Sequence, residues 1–250
     1  MTVPTTRDWR VVALLRARDH ADVEPLVARI RSEIDEWGED LGASATEVIV
    51  GYTPEASERG AHEGIPESDY DVAVEAVLTD RPDRASVAKA LTGFVERLAP
   101  LVSAEGSLVA VALEKLFDDR RARLKYLHPL IRRPHLSHDE FIENWEKNVG
   151  PVVAGHHPTR VGYVALQCDE GLTVAATEAV RFGGGACDGF GVEWFRSAAD
   201  MLPAFEWAVS PGSADGGPVS EPGGLLALLG RYADLSAPTA ILGTEPNPTH

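Results

Sequence analysis

A histidine in the second half of the sequence lies among apolar residues of a predicted strand, residues 121–131. Because side chains of a strand alternate between two faces, Tyr126 and His128 share one face, and Lys125 and Leu127 occupy the other. An imidazole in such surroundings titrates near neutral pH and can transfer a proton on an organic substrate. A core histidine with one satisfied hydrogen bond has the same pattern, so both interpretations of His128 stand.

Two glutamates occupy similar places in other predicted strands. Glu193 lies in residues 190–195, and Glu75 lies in residues 70–78. Sheet pairing can bring both carboxylates towards a shared interior, where desolvation raises the pKa of a carboxyl group and suits it to act as a general base. The alternative is an acid that points to solvent between apolar neighbours.

Arginines and aromatic residues supply candidate binding groups. Arg132 and Arg133 lie at a predicted strand-to-helix turn, where their planar donors can hold a carboxylate or phenolate, or can pair with Asp or Glu. Phe141 and Trp145 are four residues apart on the inward face of a predicted helix. That face serves either core packing or a substrate platform.

Motifs for metals and cofactors are weak. His135 and His138 straddle a predicted helix start, and no third ligand stands at a recognisable spacing. The glycines at 183–185 precede a strand rather than a helix, so they do not form a phosphate cradle. The sequence holds no nucleotide, haem or flavin fingerprint. We therefore expect an activity that uses neither a metal nor a cofactor.

The elements that must position these residues repeat once along the chain. Residues 1–118 read as strand, helix, strand, strand, helix, strand, with strands at 9–17, 46–53, 70–78 and 107–117 and helices from Asp22 and over 84–98. Residues 119–250 repeat that order, with helices at 137–153 and 197–209 that open on capping boxes, Ser137 with Glu140 and Ser197 with Asp200. The predicted strands of this half are 121–131, 160–167, 172–182, 190–195 and 237–245.

A ferredoxin-like βαββαβ unit covers one sheet face with helices and leaves the other face to be buried elsewhere. Two copies in one chain can bury these faces against each other. We therefore predict an α+β fold in which two ferredoxin-like halves, 1–118 and 119–250, pair their antiparallel sheets as an intrachain dimeric α/β-barrel. Such a chain is a monomer with an internal pseudo-dimer, or a homodimer through an outer surface.

Charge and hydropathy exclude some partners. The formal net charge of −16 opposes binding to a phosphate backbone, so nucleic acid is not an expected partner. No apolar run approaches the roughly 18 residues of a membrane helix, and no signal peptide is recognisable, so we expect a soluble cytoplasmic protein. The two cysteines, Cys168 and Cys187, are expected to be buried reduced thiols.

The run from Lys125 to Val153 resembles the EthD family of the dimeric α/β-barrel superfamily. The shared features are a strand that begins with Lys, an Arg-Arg-Pro turn, a capped helix with Phe and Trp four apart, and a Gly-Pro-Val-Val exit. In this sequence they are Lys125, Arg132, Arg133, Pro134, Phe141, Trp145, Gly150, Pro151, Val152 and Val153. Residues 187–195 are similar to the family's Asp-Gly strand. The family's usual histidine four residues after the Trp is replaced here by Val149.

The resemblance implies a cofactor-independent cyclase, isomerase, dehydratase or lyase that acts by proton transfer on an apolar or aromatic small molecule. In that interpretation His128 and Glu193 move the proton, and Arg132 and His156 assist, with His156 or its neighbour in place of the missing family histidine. The expected substrate-binding residues are Lys125, Tyr126, Phe141, Trp145, Trp194 and Phe195.

Two other functions fit the same residues. Sister families on this barrel oxidise aromatics with O₂, so a cofactor-free monooxygenase is one alternative. A ligand-binding or accessory protein without catalysis is the other, and the replacement by Val149 favours it.

Overall fold

Eight antiparallel strands close into a barrel in the computed structural model, which describes residues 5–51, 68–155, 159–184, 187–209, 224–235 and 241–244. Most of them combine β-branched and other apolar residues that suit a sheet buried on both faces. The strands are β1 (Thr5–Leu15), β2 (Ala45–Gly51), β3 (Val72–Leu78), β4 (Leu108–Asp118), β5 (Leu124–Leu130), β6 (Gly162–Cys168), β7 (Gly189–Phe195) and β8 (Ile241–Thr244). Their order around the barrel is β1-β3-β2-β8-β5-β7-β6-β4.

Each half of the sequence contributes four adjacent strands. Residues 1–118 supply β4-β1-β3-β2 and the remainder supplies β8-β5-β7-β6, so both sets place their fourth, first, third and second strands in that order. Two seams join the sets: β2 pairs with β8, and β4 pairs with β6. The α+β class and the antiparallel barrel are thereby confirmed.

Helices cover the outside of the barrel. In the first half, the apolar stripe of α1 (Val23–Leu41) packs on the sheet beside α2 (Arg84–Leu98), where Trp37 stacks on Phe94 with ring centroids 4.9 Å apart. No helix in the described ranges is long and apolar enough to cross a bilayer. The helices are α1 (Val23–Leu41), α2 (Arg84–Leu98), α3 (His138–Asn144), α4 (Gly150–Gly155), α5 (Glu170–Val180), α6 (Ala198–Val209) and α7 (Gly224–Leu229).

The predicted strand at 172–182 is wrong, because α5 occupies this segment. Asp169 caps the helix by accepting a hydrogen bond from the backbone N–H of Leu172. Leu172, Ala176 and Val180, spaced by four, join the core beneath α1 and α2. Their helical spacing outweighs the β-branched residues that suggested a strand, so the second half carries an additional helix between β6 and β7.

The EthD-like segment forms one helical run with a change of winding. α3 begins at the predicted capping box, in which Ser137 and Glu140 satisfy each other's backbone N–H groups. A π-helical turn, Trp145–Val149, then connects α3 to α4. At the other predicted box, the hydroxyl of Ser197 accepts a hydrogen bond from the N–H of Asp200 at 3.3 Å. π-Turns inside helices often occur at functional sites.

A cluster of ions fills one end of the barrel interior. Arg10 donates hydrogen bonds to Glu75 at 2.7 Å and to Glu114 at 2.6 Å. Lys125 lies 2.9 Å from Glu47 and 2.7 Å from Glu75. Apart from Glu47, these side chains are at most 5% exposed. Lys125 comes from β5 and its partners from β2 and β3, so the cluster links strands from both halves of the sequence.

Replacing Lys125 should destabilise the fold strongly. In Lys125→Met, Glu47 and Glu75 lose a buried cation, and removal of one partner of a buried pair costs about 3–5 kcal/mol. The free energy of unfolding, measured by urea titration, should fall by that amount. The matched control is Lys147→Met, whose exposed pair with Glu143 contributes less than about 1 kcal/mol. Equal small losses in both variants would contradict the structural role of the cluster.

Candidate functional site

A cavity of about 120 Å³ lies between the outer face of the sheet and the helices of the second half. One buried water needs roughly 10–15 Å³, so this space admits an organic molecule. β5, β6 and β7 form its floor, and the π-turn, α4, α6 and α7 cover it. Its apolar lining residues are Leu130, Trp145, Val149, Val153, Phe195, Ala204, Ala208, Leu225, Leu226 and Leu229.

The polar lining groups stand in two rows on the floor. Tyr126, Glu193 and Tyr163 are directly opposite one another across β5, β7 and β6. In the next row, His128 lies opposite Gly191. A Cβ at position 191 would come within 3.1 Å of the His128 ring, so glycine leaves the space beside the imidazole open. The alternation predicted for β5 is confirmed.

Burial favours the neutral form of the His128 imidazole. Burial lowers the pKa of its imidazole, and the negative charge of Glu193 opposes that shift without cancelling it. The ring of Tyr126 lies next to the imidazole, with centroids 6.0 Å apart. A neutral imidazole in an apolar cavity can accept a proton near neutral pH. Glu193 would stabilise the imidazolium that results.

The two tyrosines remain protonated. Burial raises the pKa of both Tyr126 and Tyr163 above the ordinary value, and the charge of Glu193 acts in the same direction. Both shifts favour the protonated hydroxyl, which can donate a hydrogen bond.

Arg160 is the cation of the site. Its guanidinium lies 3.5 Å from the carboxylate of Glu193 and 5.4 Å from the centre of the Tyr163 ring. Arg160 and Tyr163 were absent from the sequence candidates. Alternation within the predicted strand 160–167 would place Arg160 and Tyr163, three residues apart, on opposite faces. Arg160 lines the same cavity as Tyr163 because it lies before the start of β6 at Gly162.

Trp145 reaches the floor of the cavity because its neighbours make room for it. A Cβ at position 189 would approach the indole to 2.2 Å, so only glycine permits this position. The indole Nε1–H donates a hydrogen bond to the hydroxyl oxygen of Tyr163 at 2.9 Å. Phe141 packs against Trp145 with ring centroids 5.7 Å apart, and it belongs to the core behind the cavity rather than to the lining.

Lys125 and Trp194 lie on the other side of the sheet. Both point into the barrel, where the Lys125 ammonium is 5.6 Å from the centre of the Trp194 ring. Glu75 lies in the same interior, bound to Arg10 and Lys125. The expectation that Glu75 and Glu193 share an interior is therefore wrong, because sheet alternation sends Glu193 outward to the cavity.

Arg132 belongs to a separate ion-pair cluster. It binds Asp188 and, at 2.9 Å, Glu170, while the Nδ1 atom of His138 lies 2.9 Å from Asp188. The hydrogen bond to Asp188 raises the pKa of His138. Arg132 therefore anchors the turn after β5 and does not line the cavity. His156 lies outside the described residues.

Two further expectations concern thiols and metals. Cys168 and Cys187 are buried free thiols, as expected from the sequence. Within the described ranges, no three His, Cys, Asp or Glu side chains converge as a metal site would require.

Comparison with known proteins supports the fold. The sequence matches no model of a known protein family and no curated protein. An anthrone oxidase-like protein of known structure aligns with a TM-score of 0.58 and 9% identity, over 96% of this chain and 92% of that one. A chlorite dismutase-like protein aligns with a TM-score of 0.51 and 12% identity, over 97% and 96%. At these identities the likeness concerns the fold alone: the chain shares the fold of both proteins.

Proposed function

We propose that this protein is an enzyme that moves a proton on an apolar or aromatic small molecule without a cofactor. The observation that carries the proposal is the position of His128, whose imidazole lies beside Gly191 in the lining of an apolar cavity and whose pKa is lowered by burial. General bases of this kind contribute about 10²–10⁴-fold to rates. The reaction is of the isomerase, cyclase, dehydratase or lyase type.

Glu193 and Arg160 complete the proton-transfer group. When His128 accepts a proton, the carboxylate of Glu193 compensates the new positive charge. Arg160 lies 3.5 Å from that carboxylate and orients it. Val149 lies in the cavity wall at the position of the EthD family's histidine, and we propose that His128, on the floor of the same cavity, takes over its role. The polar groups in reach of a ligand favour catalysis over simple binding.

Replacement of His128 should abolish proton exchange. The probe is anthrone, an aromatic ketone with an acidic C–H bond, incubated with enzyme in D₂O under nitrogen. The native protein should accelerate deuterium incorporation at the carbon acid, followed by mass spectrometry, and His128→Gln should lower that acceleration about 10²–10⁴-fold. His20→Gln, at an exposed histidine, is the matched control and should leave it unchanged. Equal exchange in His128→Gln and the native protein would exclude His128 as the base.

The pH dependence should identify the charge that tunes His128. Because the imidazole must be neutral to accept a proton, exchange should decline as the pH falls through a pKa lower than the ordinary histidine value of roughly 6.5. Glu193 raises this pKa, so Glu193→Gln should move the decline to lower pH. Glu178→Gln, in an exposed pair with Arg84, should leave it in place. A decline that moves to higher pH in Glu193→Gln would contradict the assigned coupling.

A monooxygenase is the second candidate, favoured by the similarity to an anthrone oxidase-like protein. The carbanion formed by His128 could reduce O₂ directly. Anthrone would then lose two hydrogen atoms and gain one oxygen atom, and the second oxygen atom would leave as water.

Labelled O₂ separates the two candidates. With the heavy oxygen isotope present as O₂, a monooxygenase should produce anthraquinone that carries one labelled oxygen atom at a rate above the uncatalysed reaction. The enzyme proposed first should exchange deuterium under nitrogen and add nothing to the uncatalysed oxidation in air. The difference in rate between the native protein and His128→Gln gives the part of each reaction that depends on His128.

A further inference from the structure

The hydroxyl of Tyr163 is set apart from other polar groups of the cavity by its hydrogen bond. Its oxygen accepts the indole N–H of Trp145 at 2.9 Å. Within the described residues, no other hydrogen bond of this hydroxyl is formed, and burial raises its pKa. An oxygen that already accepts a hydrogen bond directs its own O–H elsewhere. The Tyr163 proton therefore faces the cavity that this residue lines.

The direction of this bond follows from the chemistry of the indole, and its position follows from the surroundings of Trp145. Indole nitrogen donates and never accepts, so Tyr163 must be the acceptor. The π-turn and the absence of a side chain at Gly189 place the indole where it meets the hydroxyl. Donation from Trp145 also polarises the Tyr163 O–H and strengthens it as a donor.

Tyr163 and His128 stand at opposite sides of the cavity floor. They lie on β6 and β5, two strands apart across the sheet and one row apart along it, which corresponds to about 12 Å between their backbones. Between them runs β7 with Gly191, whose lack of a side chain leaves the floor open. A flat ligand that covers Gly191 can thus meet an imidazole on one side and a phenolic O–H on the other.

The geometry points to an aromatic ketone as the substrate class, with its carbonyl oxygen bound by the O–H of Tyr163 and its acidic C–H bond facing His128. This inference rests on the proposed function of the same cavity. The C–H bond breaks, its proton passes to the imidazole, and its electron pair moves onto the carbonyl oxygen. The enolate oxygen then accepts the Tyr163 hydrogen bond, which is stronger to an anion than to the neutral ketone.

The first test compares two ligands that differ in one group. α-Tetralone carries a carbonyl where tetralin carries a CH₂ group, and calorimetry measures the affinity of each for the full chain. The native protein should bind α-tetralone more tightly, and Tyr163→Phe should reduce this preference about 2- to 10-fold, the range of a single hydrogen bond. Tyr70→Phe, which removes a buried hydroxyl inside the barrel, is the matched control and should retain it.

The second readout is the carbonyl stretch of bound α-tetralone, measured by isotope-edited infrared spectroscopy. A hydrogen bond from Tyr163 lowers this frequency in the native protein and in His128→Gln, but not in Tyr163→Phe. Loss of packing alone would not shift it. An unchanged frequency in Tyr163→Phe, or failure of native protein to bind α-tetralone, overturns the inference. If the native protein shows the lowered carbonyl frequency but does not accelerate deuterium exchange, the result counts against the proposed function and not against the hydrogen bond from Tyr163.

Tyr163→Phe leaves the buried N–H of Trp145 without an acceptor, which can unfold a marginal protein. In that case the double variant Trp145→Phe, Tyr163→Phe removes both partners together. Its reference is Trp145→Phe, which retains the Tyr163 hydroxyl. The lower carbonyl frequency should persist in this reference and disappear in the double variant. Equal frequencies in these two proteins would overturn the inference.

Discussion

Strict alternation along β5 and β7 is the constraint on which the rest of the structure depends. Consecutive residues face opposite compartments: Lys125 enters the barrel and Tyr126 the cavity, while Trp194 enters the barrel and Glu193 the cavity. A slip of one residue in either strand would exchange these sets. The interior ions would then face the cavity, and His128 and Glu193 would be buried in the barrel.

The barrel interior and the cavity differ in how they accommodate buried charged groups. Inside the barrel, Lys125 and Arg10 lie within hydrogen-bonding distance of carboxylates, so desolvation is offset by close pairing, and the pKa of Glu47 falls well below its ordinary value. In the cavity, His128 forms no ion pair with the described residues, and burial lowers the pKa of its imidazole. The first arrangement suits a structural core, and the second suits a reversible change of charge.

Much of this organisation could be predicted from local sequence. Alternation in residues 121–131 correctly placed His128 with Tyr126, and the capping box at Ser137 correctly marked a helix start. α5 was missed because its β-branched residues conceal a spacing of four, which faces α2 and β4 in the folded chain. Arg132 gave no local sign of its partner Asp188, which lies 56 residues away. The shared strand order supports our proposal that residues 1–118 and 119–250 form two ferredoxin-like halves.

The charge state of His128 is the most direct test of this account. A titration of the imidazole by nuclear magnetic resonance, with nitrogen-labelled histidine and His128→Gln to assign the signal, measures its pKa with and without α-tetralone. We predict a pKa below the ordinary histidine value, so that the ring is neutral at pH 7, and a clear change of its resonances when the ligand binds. A pKa above the ordinary histidine value, or resonances that do not change when α-tetralone is added, would contradict the proposed role of His128 as the base of this cavity.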